Sequence, residues 1–264
     1  EAVAEEQREV RLHGKFIHLS NLIHPLFTDQ PQQWCFGCNR RLIAVHGDTC
    51  PFCQSQDIGT YCHVAEDEEY EVGGALPVWA RWPTVFLIDP HDRRPHAMAW
   101  IAVAPNDDAL QVYELEMDAE ASEVAKEVLR IEQQEKIYVA SRIMDPNMGE
   151  SPSGKRRGLT WKQEFAESQL ACSTHVDDSF SVGKTRVNEM LRPDQRTRRP
   201  RFRLLRRCQR SIFQAKRFTW AEWSRYSTGE REVKEKPRDK HGDFPALWRY
   251  FANARLTFRM LHAG

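Results

Sequence analysis

This sequence is short of several signatures, and each gap excludes a class of protein. No apolar run in its 264 residues approaches the roughly 20 needed to span a bilayer. The start, EAVAEEQREV, is acidic, whereas a secretory leader begins basic and turns apolar. The chain opens on Glu1 rather than Met, which predicts a piece of a longer protein. No working phosphate loop is readable. Gly149 to Arg156 (GESPSGKR) nearly fits, but Arg156 stands where Ser or Thr must hold Mg²⁺, and Pro152 restricts the cradle. No Ser–His–Asp or Cys–His nucleophile is readable from one chain. No internal repeat or low-complexity tract is present, and net charge is absent, with 38 Lys and Arg against 38 Asp and Glu.

What is present suits a globular protein with a core, at 41% hydrophobic and 29% charged residues. The zero charge conceals an asymmetry. Glu66 to Glu71 (EDEEYE) carries five acids in six residues, and residues 184–217 carry thirteen Lys or Arg against Glu189 and Asp194. So dense a basic block is an electrostatic footprint for a phosphate backbone, or else a solvated helix face. Within it Lys184, Arg186, Arg198, Arg199 and Arg201 are candidate DNA contacts. Lys155, Arg156 and Arg157 on the preceding flexible loop are others.

There are seven cysteines. Cys35-Phe-Gly-Cys38 and Cys50-Pro-Phe-Cys53 are separated by eleven residues. Two such knuckles form a tetrahedral thiolate cage for a structural Zn²⁺, and four thiolates leave no open position for catalysis. His46, Cys62 and His63 are substitutes for one ligand. The odd cysteine count points to a reducing compartment. Redox chemistry is the weaker alternative, because a thioredoxin-like site needs only one CxxC.

The chain divides into a linker over 1–32, a zinc-ribbon-like module over 33–75 and a mixed α/β domain over 76–264. The linker includes a short helix from Val3 to Leu12. In the main domain the patterning predicts strands at Val85–Asp89, His96–Ala104 and Leu110–Met117, with the DPHDRRP turn fixing the first hairpin. A helix follows over Ala119–Glu135, with Val124, Val128, Leu129 and Ile131 on its apolar face. Next come a strand to Met144, a helix over Leu159–Gln169 capped by Thr160, a short strand over Ala171–Val176 and a helix over Ser181–Leu191. A strand over Arg201–Leu205 and a helix from Gln209 to about Trp223 precede a polar loop and a final helix opening at Asp243. This is the order of a ribonuclease H-like mixed sheet flanked by helices. Trp220, Trp223 and Trp248 read as core rather than as platforms for bases.

Asp89 ends the run VFLIDPHD, Asp145 ends KIYVASRIMDP, and Asp243 opens DFPALWRYFANARLTF. Each alone is as well explained as a cap or a turn starter. Together, in this topological order, they can converge on two Mg²⁺ or Mn²⁺ ions of the kind that hydrolyse phosphodiesters. His91, Asp178, Asp239 and His241 are accessory candidates, each with a plain reading as a turn or capping residue.

These segments resemble the C-terminal nuclease part of the tailed-phage terminase large subunit. REVRLHGKF…HPLF is similar to the segment following the motor ATPase domain in that family. LIDPHDRRPHAMAW resembles its first nuclease strand with the metal-binding Asp, here Asp89. IMDPNMG resembles its second acidic segment, here Asp145. RDKHGDFPALWRYFAN resembles the closing acidic helix, ending in Arg249 and Tyr250. Two departures stand out. Ala246 occupies the place of the usual helix Asp, so Asp243 or Asp239 must supply the third acid. The zinc module is an insertion. The resemblance implies a missing N-terminal ATPase domain and a nuclease that cuts concatemeric double-stranded viral DNA. It also implies partners in the portal protein and the small terminase subunit, and a place in the host cytoplasm rather than the mature virion. The expected activity is two-metal endonucleolysis with no ATPase site in this chain. The rival readings are a non-enzymatic zinc and basic-patch module that binds DNA or acts as a scaffold, and a resolvase or transposase on the same fold.

Overall fold

The computed structural model describes residues 21–43, 48–71, 76–153, 158–221, 237–238 and 240–262. Lys155, Arg156, Arg157, Asp239, His46, Trp223 and the expected helix Val3 to Leu12 lie outside them.

A three-stranded antiparallel sheet comes first, from β1 (Gln32–Cys35), β2 (Arg40–Leu42) and β3 (Ile58–Tyr61), in the order β2-β1-β3. Its core is small: Trp34, Phe36 and Tyr61 on one side, and Leu42 with Cys35 and Cys50 on the other. So little apolar area needs a staple.

The main sheet has six strands in the order β4-β9-β7-β6-β5-β8. They are β4 (Val64–Ala65), β5 (Thr84–Asp89), β6 (His96–Val103), β7 (Ala109–Met117), β8 (Val139–Met144) and β9 (Phe202–Leu205). β5, β6 and β7 form the antiparallel meander, and β8 returns parallel to β5. Every residue of β5 is buried, which is why it reads as a continuous apolar run and not as an alternation. Val85 and Leu87 face one core, and Phe86 and Ile88 the other. The helices form a layer on each face. On one side lie α1 (Ala121–Gln134) and α3 (Trp161–Glu167), and α2 (Pro146–Glu150) directly follows β8. On the other lie α4 (Phe180–Met190), α5 (Gln209–Ala215) and α6 (Asp243–Ala254), with α7 (Phe258–His262) closing the chain. No helix of the described residues is long and apolar enough to cross a membrane.

Four details depart from the patterning. Leu129 is 36% exposed while Val124, Val128 and Ile131 are buried. A helix turns 100° per residue, so 124, 128 and 131 share a face that 129 leaves. The strand expected over Ala171–Val176 is a single parallel bridge between Ile143 and Ser173. The helix from Gln209 stops at Ala215, and Thr219 and Trp220 instead bridge to Leu22 and Pro237. Of the core tryptophans, Trp248 is buried, but Trp220 is half-buried, with the Lys184 ammonium 4.7 Å above its ring.

Two buried histidines join residues 21–63 to the main domain. His24 Nδ1 lies 2.8 Å from Asn188 Oδ1, and His63 Nε2 lies 2.8 Å from the Leu191 carbonyl. His63 is thus a structural residue, not a metal ligand. Burial holds both down at about 4, below the ordinary 6.5. A depressed histidine contributes stability that is fully present above the unfolded value and is lost as pH falls toward the folded one. Urea unfolding at pH 7 and pH 5 is expected to show about 2 kcal/mol lost per histidine, at about 1.4 kcal/mol per unit. A flat profile in an Asp89→Asn background, which removes an opposing titration, is the contrary result.

Candidate active site

The site forms where β5 and β8 end side by side. Ile88 pairs with Met144, and the Asp145 N–H donates to the Ile88 carbonyl at 2.9 Å. Asp89 and Asp145 therefore leave neighbouring parallel strands at the same level, the usual place for ligands on such sheets. Asp243 arrives from the opposite face, as the first residue of α6.

Asp89 is 6% exposed, and its Oδ1 has no hydrogen-bond partner among the described residues. Burial raises its pKa to about 7; His91 opposes the rise, and the acids Asp145 and Asp243 add to it. His91 Nε2 stands 3.5 Å from Asp89 Oδ2 and 3.5 Å from Asp243 Oδ1. Burial works against a charge on His91, but its bond to Asp243 and the charge of Asp89 outweigh it and raise its pKa. Asp243 is held below the usual carboxylate range against its own burial, chiefly by His91 and Arg94. One ligand atom from each of Asp89, His91 and Asp243 lies within 4.8 Å of the others.

Asp145 faces the same corner with its oxygens engaged. Oδ1 accepts the N–H groups of Asn147 and Met148, each at 2.7 Å, capping α2. Oδ2 accepts the Tyr250 hydroxyl. The capping reading and the strand-end reading thus meet in one residue. Arg249 packs against Gly183 so closely that a Cβ there would lie 2.1 Å from its Cγ. From there it donates to the Asp178 carbonyl at 3.1 Å and to the Tyr250 hydroxyl at 3.2 Å. Asp178 accepts from the Asn147 amide, so it buttresses the Asp145 corner. His241 stacks edge-on to Phe213, 5.4 Å away, and does not join the cluster.

A cleft of about 370 Å³ opens over Asp89 and Asp243, with Arg94, Lys184, Arg238 and Arg249 on its walls. Of the basic block, Lys184 reaches this cleft. Arg186 donates to Asn253 at 2.7 Å, Arg198 pairs with Asp57 at 2.6 Å, and Arg201 lies 3.6 Å from Asp108. Arg199 is exposed. Arg203, Arg206 and Arg207 pair with Glu69, Glu66 and Asp67, so the acidic run neutralises part of the block. Sequence reasoning gave Arg94, Arg249 and Tyr250 no role. The spacing from Asp243 to Tyr250, seven residues on one helix, puts both on one face and was the available signal.

Cys35, Cys38, Cys50 and Cys53 form the second cluster, with Cys35 and Cys53 sulfurs 3.6 Å apart and Cys38 and Cys50 sulfurs 3.7 Å apart. A tetrahedron of ~2.3 Å zinc–sulfur bonds has edges of about 3.8 Å, so the cage fits that ion. The Phe52 and Cys53 N–H groups pull Cys50 down against its burial, while burial and the neighbouring thiols push Cys38 up, so a cation is what would bring the four to the thiolates a metal binds.

The six-stranded mixed sheet with a helix layer on each face is a ribonuclease H-like fold of the kind found in phage terminase nucleases. The large terminase of the thermophilic bacteriophage D6E matches 74% of this chain at 14% identity and a TM-score of 0.51. The P22 large terminase nuclease domain matches 76% of it at 12% identity and a TM-score of 0.51, over 91% of that domain. The likeness is one of fold. The chain spans 42% of the D6E protein. No protein-family profile and no curated protein sequence matches it.

Proposed function

We propose that this chain is a metal-dependent DNA endonuclease, the nuclease part of a terminase large subunit that cuts concatemeric viral DNA during packaging. The observation that carries this reading is the cluster of Asp89, His91 and Asp243 under a cleft walled by arginine and lysine. Among the described residues Asp89 Oδ1 is a buried acceptor without a donor, which a divalent cation would satisfy. Asp89, His91 and Asp243 would hold one Mg²⁺ or Mn²⁺, and Asp145 with Asp89 a second. Bound there, such ions make water a nucleophile at neutral pH and stabilise the leaving oxygen. The chain's own contribution is to fix the carboxylates. Asn147 and Met148 anchor Asp145, Gln214 and Arg94 orient Asp243, and the cleft cations seat the scissile phosphate. The four cysteines would hold structural Zn²⁺.

By the resemblance, the partners are double-stranded DNA, a portal ring and a small terminase subunit in the host cytoplasm, and the ATPase lies outside this chain. Nicking of supercoiled plasmid in Mn²⁺ and none in EDTA is the expected result. Binding without cutting in any divalent metal would favour a scaffold module, and strong preference for branched DNA a resolvase.

Tyr250 competes with a cation for Asp145. Tyr250→Phe is expected to tighten the weaker of two Mn²⁺ sites several-fold in a calorimetric titration. An unchanged isotherm would remove Asp145 from the metal set.

A further inference from the structure

We infer that the turn over residues 193–200, braced by the first cysteine knuckle, is a second surface for the DNA backbone, separate from the cleft. This rests on the nuclease reading above. The turn is preorganised. Pro193 and Pro200 form an antiparallel bridge, and the Asp194 N–H donates to the Arg199 carbonyl at 3.0 Å. Asp194 Oδ1 accepts the N–H groups of Arg196 and Thr197 at 2.9 and 2.8 Å. Arg198 sits in the left-handed region, at φ 61, a conformation that a non-glycine residue keeps only when its surroundings impose it.

Those surroundings are the cysteine module. The Arg198 guanidinium lies 4.1 Å from the centre of the Phe36 ring and pairs with Asp57 at 2.6 Å. The Gln195 side chain donates to the Phe36 carbonyl at 3.3 Å. Phe36 is the residue after Cys35 and two before Cys38, and its own N–H donates to the Asp57 carbonyl at 2.8 Å. Whatever fixes the sulfurs of that knuckle therefore fixes the ring on which Arg198 rests. At the base of the turn, His63 holds the Leu191 carbonyl.

The brace uses Arg198 and leaves three others presented. Arg192, Arg196 and Arg199 are exposed, and none forms a side-chain hydrogen bond or ion pair with a described residue. This sets them apart from Arg203, Arg206 and Arg207, which the acidic run engages. Their position matches the cleft. α4 begins at the cleft with Phe180 and Lys184 and ends two residues before Arg192. Lys184 and Arg192 are thus separated by about 12 Å along the helix axis, well inside one ~34 Å turn of a duplex. A duplex seated on Lys184 can run along α4 to this turn, where guanidinium groups suit phosphates.

The test is fluorescence anisotropy on a short mixed-sequence duplex across a salt series, with the Asp89→Asn protein so that the probe survives. Arg192→Ala/Arg196→Ala/Arg199→Ala is expected to weaken binding tenfold or more and to flatten the salt slope by about 2 to 3. Arg198→Ala and zinc-stripped protein should each lose part of the same affinity. Undiminished affinity in the triple variant, with loss in Lys184→Ala, overturns the inference while leaving the nuclease reading intact; the face is then open to a protein partner. Full affinity in both Arg198→Ala and the stripped protein refutes the brace. An Asp89→Asn parent that does not bind the duplex refutes the nuclease reading and this inference with it.

Discussion

Asp89→Asn is expected to lower Mn²⁺-dependent plasmid cleavage on the order of a thousandfold or more, and to raise the melting temperature of the metal-free protein by several degrees at pH 8. The two effects have one cause. Burial lifts the Asp89 carboxyl to about 7 from its ordinary 3.8. A carboxyl raised in this way contributes stability that is complete below the unfolded value and is lost as pH rises through the folded one. At pH 8 the charged form carries the whole penalty, up to about 4 kcal/mol at about 1.4 kcal/mol per unit. The amide keeps the shape and drops the charge. Mn²⁺ should stabilise the parent and leave the variant unmoved. Thermal scans with and without Mn²⁺, beside the plasmid assay, measure both. Retained cleavage, or a variant that melts earlier than its parent at pH 8, would defeat the assignment.

The second large effect concerns the cysteine cage. Purified protein is expected to carry one zinc per chain, and Cys50→Ser to carry none. Structural zinc supplies about 10–16 kcal/mol of apparent binding energy in isolated finger peptides. Here the three-stranded sheet buries Trp34, Phe36, Tyr61, Leu42 and two of its cysteines, too little to hold without the ion. The variant should be cut by protease within residues 33–61 under conditions where the parent is not. Elemental analysis and limited proteolysis check this. A zinc-free parent, or a variant equally resistant, would end the structural-zinc reading.

The sequence made some parts of this molecule readable because one physical rule decides them locally. The unbroken apolar run Val85–Asp89 between turn residues read as a strand, and the 3.6-residue period of Val124, Val128 and Ile131 set α1. The sulfur spacing fixed the cage. The failures share a cause too. Leu129 is apolar and lies one position off the buried arc. Residues 171–176 have strand-like composition, but only Ser173 reaches β8. The acidic run and the basic block looked like separate fields, and only folding brings Glu66, Asp67 and Glu69 onto Arg206, Arg207 and Arg203. In the site, Asp89 and Asp243 were legible as element ends. That Asp145 spends its oxygens on Asn147, Met148 and Tyr250 depends on where α6 lies against β8, which no local pattern encodes.

The main sheet ends on one side in β4, two residues long, followed at once by Glu66 and Asp67. On the other side β8 is partly covered by the chain at Ser173. Among the described residues, these two margins are a very short strand flanked by acids and a strand partly covered by the chain, both poor templates for pairing with the edge of another copy.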